Sequence, residues 1–135
     1  MTMAQVITQI TTDLRGLLPF TVEEYWRTEP PKEITAFVQP SDRGPEESNF
    51  MGNEFSRDYF VDIYVEVPWD NKVTTAEAVD DAIEIIALYV SDNRQLIPDY
   101  IMTLGNTRYA YVQRSEAGKP CWAAQQKIKI EYPEV

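Results

Sequence analysis

The sequence predicts an α+β domain in which two amphipathic helices pack on one mixed or mostly antiparallel sheet of four to five strands. Three observations predict it. Residues 74–90, TTAEAVDDAIEIIALYV, carry Ala76, Val79, Ile83, Ile86 and Val90 at helical spacing. Residues 57–69 alternate instead, with Tyr59, Val61, Ile63, Val65 and Val67 against Phe60, Asp62, Tyr64 and Glu66. The remaining strand-like runs are joined by loops and a hairpin rather than by regular helical crossovers, the signature of an antiparallel or mixed sheet. With 135 residues the chain forms one domain, long enough to bury roughly two-thirds of its unfolded surface.

In chain order, residues 4–18 form the first helix. Met3, Val6, Ile7, Ile10, Leu14, Leu17 and Leu18 mark its apolar stripe, and Pro19 stops it. Its threonines at positions 8, 11 and 12 lower its intrinsic propensity, so it depends on docking. Residues 20–27 are a short extended segment, and Pro30-Pro31 breaks regular structure after it. Residues 33–38 are a strand ended by Pro40. On it, Ile34, Ala36 and Val38 face one way, and Thr35 and Phe37 the other.

Residues 39–56, QPSDRGPEESNFMGNEFS, form a long irregular loop. A loop of this length inside a compact domain is usually functional or ordered by a partner. Phe50, Met51 and Phe55 are its candidate interface residues: they either dock onto a neighbouring subunit or fold back onto their own domain.

The strong strand closes at Pro68, and residues 69–71 turn the chain into the central helix. Thr74, three residues before Glu77, has the capping-box spacing and sets the expected start of that helix. Its outer face carries Glu77, Asp80, Asp81 and Glu84, with no basic residue before Arg94. Residues 100–104 form a short strand, with Gly105-Asn106 as a turn or bulge. The chain continues extended over 108–114, and residues 115–119 make a hairpin loop. Residues 121–132 are the last strand; its Lys127 and Lys129 face is expected to be solvated, protecting an edge.

Composition narrows the function. Twenty-two acidic residues oppose twelve basic ones, a formal net charge of −10. That balance argues against a nucleic-acid binder, which needs clustered Lys and Arg. No apolar run is long enough for a membrane helix, and the N-terminal stretch has no export-signal pattern, so no membrane partner is expected. Cys121 is alone, which excludes an internal disulfide and fits a reducing compartment. Histidine is absent, which removes His-based nucleophilic catalysis, His-ligated zinc and histidine switching. No nucleotide-binding, CxxC or EF-hand pattern occurs. No catalytic residue and no cofactor or metal is therefore expected, and the chain reads as a non-enzyme.

The order of elements resembles that of the tail terminator (tail-completion) proteins of long-tailed bacteriophages and the related neck and minor capsid proteins. The likeness rests on the N-terminal helix ending in LLPF (17–20), and on the strand EITAFVQP (33–40) leading into the long loop. It continues through the strand RDYFVDIYVEVPWD (57–70), the single acidic helix and the C-terminal hairpin, so that it covers almost the whole chain.

The resemblance implies a structural virion protein of the tail or neck, assembled in the host cytoplasm. Such a protein forms a homo-oligomeric ring, usually a hexamer, that caps the tail tube. It stops tube polymerisation and joins the tail to the head-completion proteins, while DNA passes through the ring without specific binding. It implies no catalytic residues.

The residues themselves are compatible with that role. Carboxylates repel phosphates over a screened range of about 8–10 Å, so Glu77, Asp80, Asp81 and Glu84 are candidates to line a DNA channel. A solvated helix face is the other reading of the same stripe. Three further functions stay open: another head-tail connector or minor capsid protein, an acidic adaptor for a basic partner, and a site at those four carboxylates holding Mg²⁺ or Ca²⁺.

Overall fold

A computed structural model describes residues 2–25, 33–41, 59–68, 72–93, 95, 100–112 and 121–131. The elements are α1 (Met3–Arg15), β1 (Thr21–Glu24), β2 (Thr35–Pro40), β3 (Tyr59–Pro68), α2 (Lys72–Asp92), β4 (Ile101–Val112) and β5 (Cys121–Glu131). The fold is α+β, with two helices on a five-stranded mixed sheet of order β1-β2-β3-β5-β4. β1 pairs parallel with β2, and every other neighbouring pair is antiparallel.

α1 starts with a capping box. The Thr2 hydroxyl accepts from the Gln5 N–H at 3.2 Å, and the Gln5 side chain accepts from the Thr2 N–H at 2.8 Å. Val6, Ile7, Ile10 and Leu14 are fully buried against β1 and β2. Thr11 is buried as well, and its hydroxyl donates to the Ile7 carbonyl at 2.7 Å, which satisfies it inside the helix. The helix ends at Arg15 with Gly16 as its C-cap, earlier than the stop at Pro19 that the stripe predicts. Leu18 still reaches the core, from a turn in which its N–H bonds to the Leu14 carbonyl at 2.8 Å. Leu17 points to solvent.

α2 covers β3, β5 and β4. It begins at Lys72, so Thr74 lies inside the helix and does not set its start. Helical geometry is already present at Lys72, two residues before the capping-box pattern is reached. Val79, Ala82, Ile86, Tyr89 and Val90 are buried, and Ile83 and Ile85 pack at the margin of the core. Through cross-strand registers, the same core takes Val22, Ala36, Val38, Val61, Ile63, Val65, Ala124, Ile128, Ile130 and Met102 from one face of the sheet. Both helices therefore share that face.

Strand alternation sends the intervening side chains to the other face, where Thr35, Phe37, Asp62, Glu66 and Ala123 are also buried. Buried acids on β3 are what its period-2 pattern leaves open, because alternation assigns a side but not a depth. The lysine face of β5 departs from expectation for a related reason. β5 lies between β3 and β4 and guards no edge, and the Lys127 side chain is only 24% exposed.

Gly105-Asn106 forms a bulge, with the β4 to β5 register shifting between Leu104 and Thr107. Gln126, fully buried, closes it from β5. Its Nε2 donates to the carbonyls of Gly105 (2.9 Å) and Lys127 (2.9 Å), and its Oε1 accepts from the Thr107 hydroxyl. A Cβ on Gly105 would lie 3.0 Å from the Lys127 Cβ and 3.2 Å from its carbonyl oxygen, so the close strand approach requires glycine here.

Candidate functional site

Three features of the described surface bear on function: the acidic face of α2, the edge strand β4 beside it, and a polar cluster on the sheet face away from the helices.

Glu77, Asp80, Asp81 and Glu84 are all exposed. Their three- and four-residue spacing holds them along one side of a rigid helix. Asp80 reaches the sheet edge, where the Tyr109 hydroxyl hydrogen-bonds to it. Partial burial, then that hydrogen bond and the carboxylate charge, raise the Tyr109 pKa above that of a free phenol. The Tyr109 ring stacks on Trp122, with centroids 6.2 Å apart and planes 17° from parallel. The side of α2 bearing Asp80 is therefore held at the outer margin of β4. Among the described residues no three acids or cysteines are grouped to hold a metal ion. The four carboxylates come from successive turns of one helix, a spacing that does not by itself gather ligands round one ion.

β4 is an outer strand of the sheet, and residues 103–109 are all exposed. It carries Arg108 and no acid. At the opposite margin β1 is short. Its Val22 carbonyl accepts from Arg15 Nε at 2.9 Å, and the backbone turns into the left-handed region at Tyr25 (φ 65°), which ends the strand.

On the face away from the helices, Asp62 is wholly buried. Its Oδ2 accepts from Gln125 Nε2 at 2.9 Å, and Lys127 Nζ lies 3.8 Å from its Oδ1. Lys127 also donates to Ser41 Oγ at 3.1 Å. The ammonium compensates the buried carboxylate, so this cluster holds β2, β3 and β5 in register.

The structure thus brings Glu77, Asp80, Asp81 and Glu84 together on one exposed face. Phe50, Met51 and Phe55 lie outside the described residues. The extended run over 108–114 does not by itself pair Tyr109 with Asp80, because a contact between helix and strand leaves no periodic trace. Compared with models of protein families the chain matches none, and no curated protein sequence matches it significantly.

Proposed function

We propose that this chain is a ring-forming tail terminator of a long-tailed phage. It caps the tail tube, stops its polymerisation and joins it to the head-completion proteins, working in the virion after assembly in the host cytoplasm. The observation that carries this reading is the run of four exposed carboxylates on the outer face of α2, at Glu77, Asp80, Asp81 and Glu84. It belongs to a small domain, and the order of elements read from the sequence resembles that of such proteins. A ring through which DNA travels is served by a surface that repels phosphate at short range and binds none of it. Subunits of a ring also need lateral surfaces, and a sheet with outer strands at both margins offers them.

Native mass spectrometry of the purified chain, alone and with tail tube protein, tests the proposal. The expected result is a closed oligomer, formed alone or on the tube, and tube assembly that stops when the chain is added. A strict monomer at high concentration in both conditions would count decisively against it. Capture of a basic protein by that monomer would favour the acidic adaptor instead.

A further inference from the structure

We infer that the subunits join head to tail by continuing the sheet, the outer side of β4 in one copy pairing antiparallel with β1 of the next. The inference deepens the ring reading above and rests on it.

Strand directions allow the junction. β1 runs with β2 and β5, whereas β4 runs with β3, so the two outer strands point in opposite directions. Side-by-side continuation is then antiparallel, the more stable ladder per residue. Lengths also match. The bulge at Gly105-Asn106 interrupts β4 and leaves the straight segment from Thr107 to Val112 beyond it, against four residues in β1.

Main-chain directions agree as well. The Tyr25 N–H bonds to the Val38 carbonyl, so alternation turns the main-chain groups of Val22 and Glu24 outward from β1. The Ser41 N–H bonds to the Phe60 carbonyl. Carried through the registers of β3, β5 and β4, this turns the main-chain groups of Thr107 and Tyr109 outward from the other margin. Val22 facing Tyr109 and Glu24 facing Thr107 are then hydrogen-bonded pairs. The Val22 carbonyl that Arg15 already holds has a second lone pair for the Tyr109 N–H.

Charge selects this register. Glu23, Phe37, Tyr64, Gln125 and Arg108 occupy one transverse row across the face away from the helices. The row begins with an acid at β1 and ends with a cation at β4. Arg108 is exposed and has no acidic partner among the described residues. Repeating the row sets Arg108 beside Glu23 of the next copy, while Tyr109 lies opposite Val22 on the helix side. Each is a favourable cross-strand pair.

Charge also disfavours the two-fold alternative. The Asp80–Tyr109 contact holds the acidic side of α2 at the β4 margin. Pairing β4 with a second β4 would bring two such acidic sides together. Head-to-tail packing sets the acidic side against the outer flank of α1, where Thr8, Thr12 and Arg15 follow at helical spacing. An open depression lined by Ala4, Gln5, Thr8, Gln9 and Thr12 lies on the same helix.

The test uses R108E, E23K and their mixture in native mass spectrometry and light scattering, with circular dichroism confirming folded chains. Each variant alone sets like charges across the junction. Each is expected to raise the concentration needed for assembly on the order of fivefold. The equimolar mixture restores wild-type assembly, because each junction again joins opposite charges. Tyr109→Pro, which removes an outward N–H that the chain's own sheet does not use, abolishes assembly while the monomer stays folded.

Wild-type oligomers that both charge variants and Tyr109→Pro leave unchanged overturn this junction while leaving the ring intact. Loss in R108E that E23K fails to restore does the same and favours a two-fold contact. A wild-type chain that never assembles, with tube protein included, overturns the ring reading itself.

Discussion

The Tyr89 hydroxyl donates to Asp13 Oδ2 at 2.7 Å, tying α2 to α1 across 76 residues of sequence. The same carboxylate accepts from Gln9 Nε2 at 3.0 Å, so a neighbour within α1 also holds the acceptor in place. Tyr89 is almost wholly buried, and its hydroxyl is the polar tip of a side chain otherwise inside the core.

Tyr89→Phe is expected to cost about 0.5–1.5 kcal/mol, the net worth of one such bond. Asp13→Ala is expected to cost more, about 1–3 kcal/mol, because it leaves the buried hydroxyl without its acceptor. Urea midpoints of the two variants check the order. Burial first, then the hydrogen bond and charge of Asp13, hold the Tyr89 pKa far above the ordinary phenol. In the unfolded chain Tyr89 ionises near pH 10, roughly its free value. The folded chain then binds the proton more tightly, so this stabilisation is complete below about pH 10 and is lost as pH rises further. Alkaline unfolding should be less steep in Tyr89→Phe than in the wild type.

The bulge in β4 depends on one amide. Replacing Gln126 by Leu keeps its volume but removes the donor to the carbonyls of Gly105 and Lys127 and the acceptor of the Thr107 hydroxyl. The expected loss is about 1–3 kcal/mol, with faster amide exchange centred on residues 104–107. Gly105→Ala should destabilise by about 1–3 kcal/mol through overpacking against Lys127. A variant of either kind as stable as the wild type would mean that the strands do not approach this closely.

Lys127→Met preserves the aliphatic stem and deletes the only cation set against the wholly buried Asp62 among the described residues. The expected cost is about 1–3 kcal/mol, below that of a fully buried pair because Lys127 keeps contact with solvent. Adding Asp62→Asn should recover part of the loss, since the double variant no longer buries a charge. A double-mutant cycle on chemical denaturation measures the coupling.

Reversing Glu77, Asp80, Asp81 and Glu84 to Lys takes the formal net charge from −10 to −2. The fold should hold within about 1 kcal/mol, because the four side chains are exposed and like charges at this spacing cost only about 0.2–0.5 kcal/mol per pair. Under the proposed tail-terminator role, phage assembled with this variant is expected to eject DNA more slowly, with the deficit shrinking as salt rises. Ejection at the wild-type rate would separate the acidic face from the DNA path. In Asp80→Asn alone, the Tyr109 phenol should titrate closer to its ordinary value, as read by its ultraviolet difference spectrum.

Local pattern carried much of the architecture. The 3.6-residue stripe of Val79, Ile83, Ile86 and Val90 specified a helix with one buried side, and the period-2 run of Tyr59 to Val67 specified a strand. Gly105-Asn106 marked the bulge because few other residues permit two strands to approach so closely. The acidic side of α2 was likewise legible, since exposure follows once the apolar side is assigned.

Partner choice was not legible. Nothing in the spacing of residues says that β1 lies parallel to β2, or that β5 inserts between β3 and β4. Strand pairing joins segments distant in the chain, and it is decided by how both helices cover one shared face. The depth of Asp62 and Glu66, the Tyr89–Asp13 link and the Asp80–Tyr109 contact belong to the same class. Periodicity assigns each side chain a direction relative to its own element. Burial, charge compensation and the row from Glu23 to Arg108 arise only when the elements are assembled, because they depend on distances between segments that no local pattern encodes.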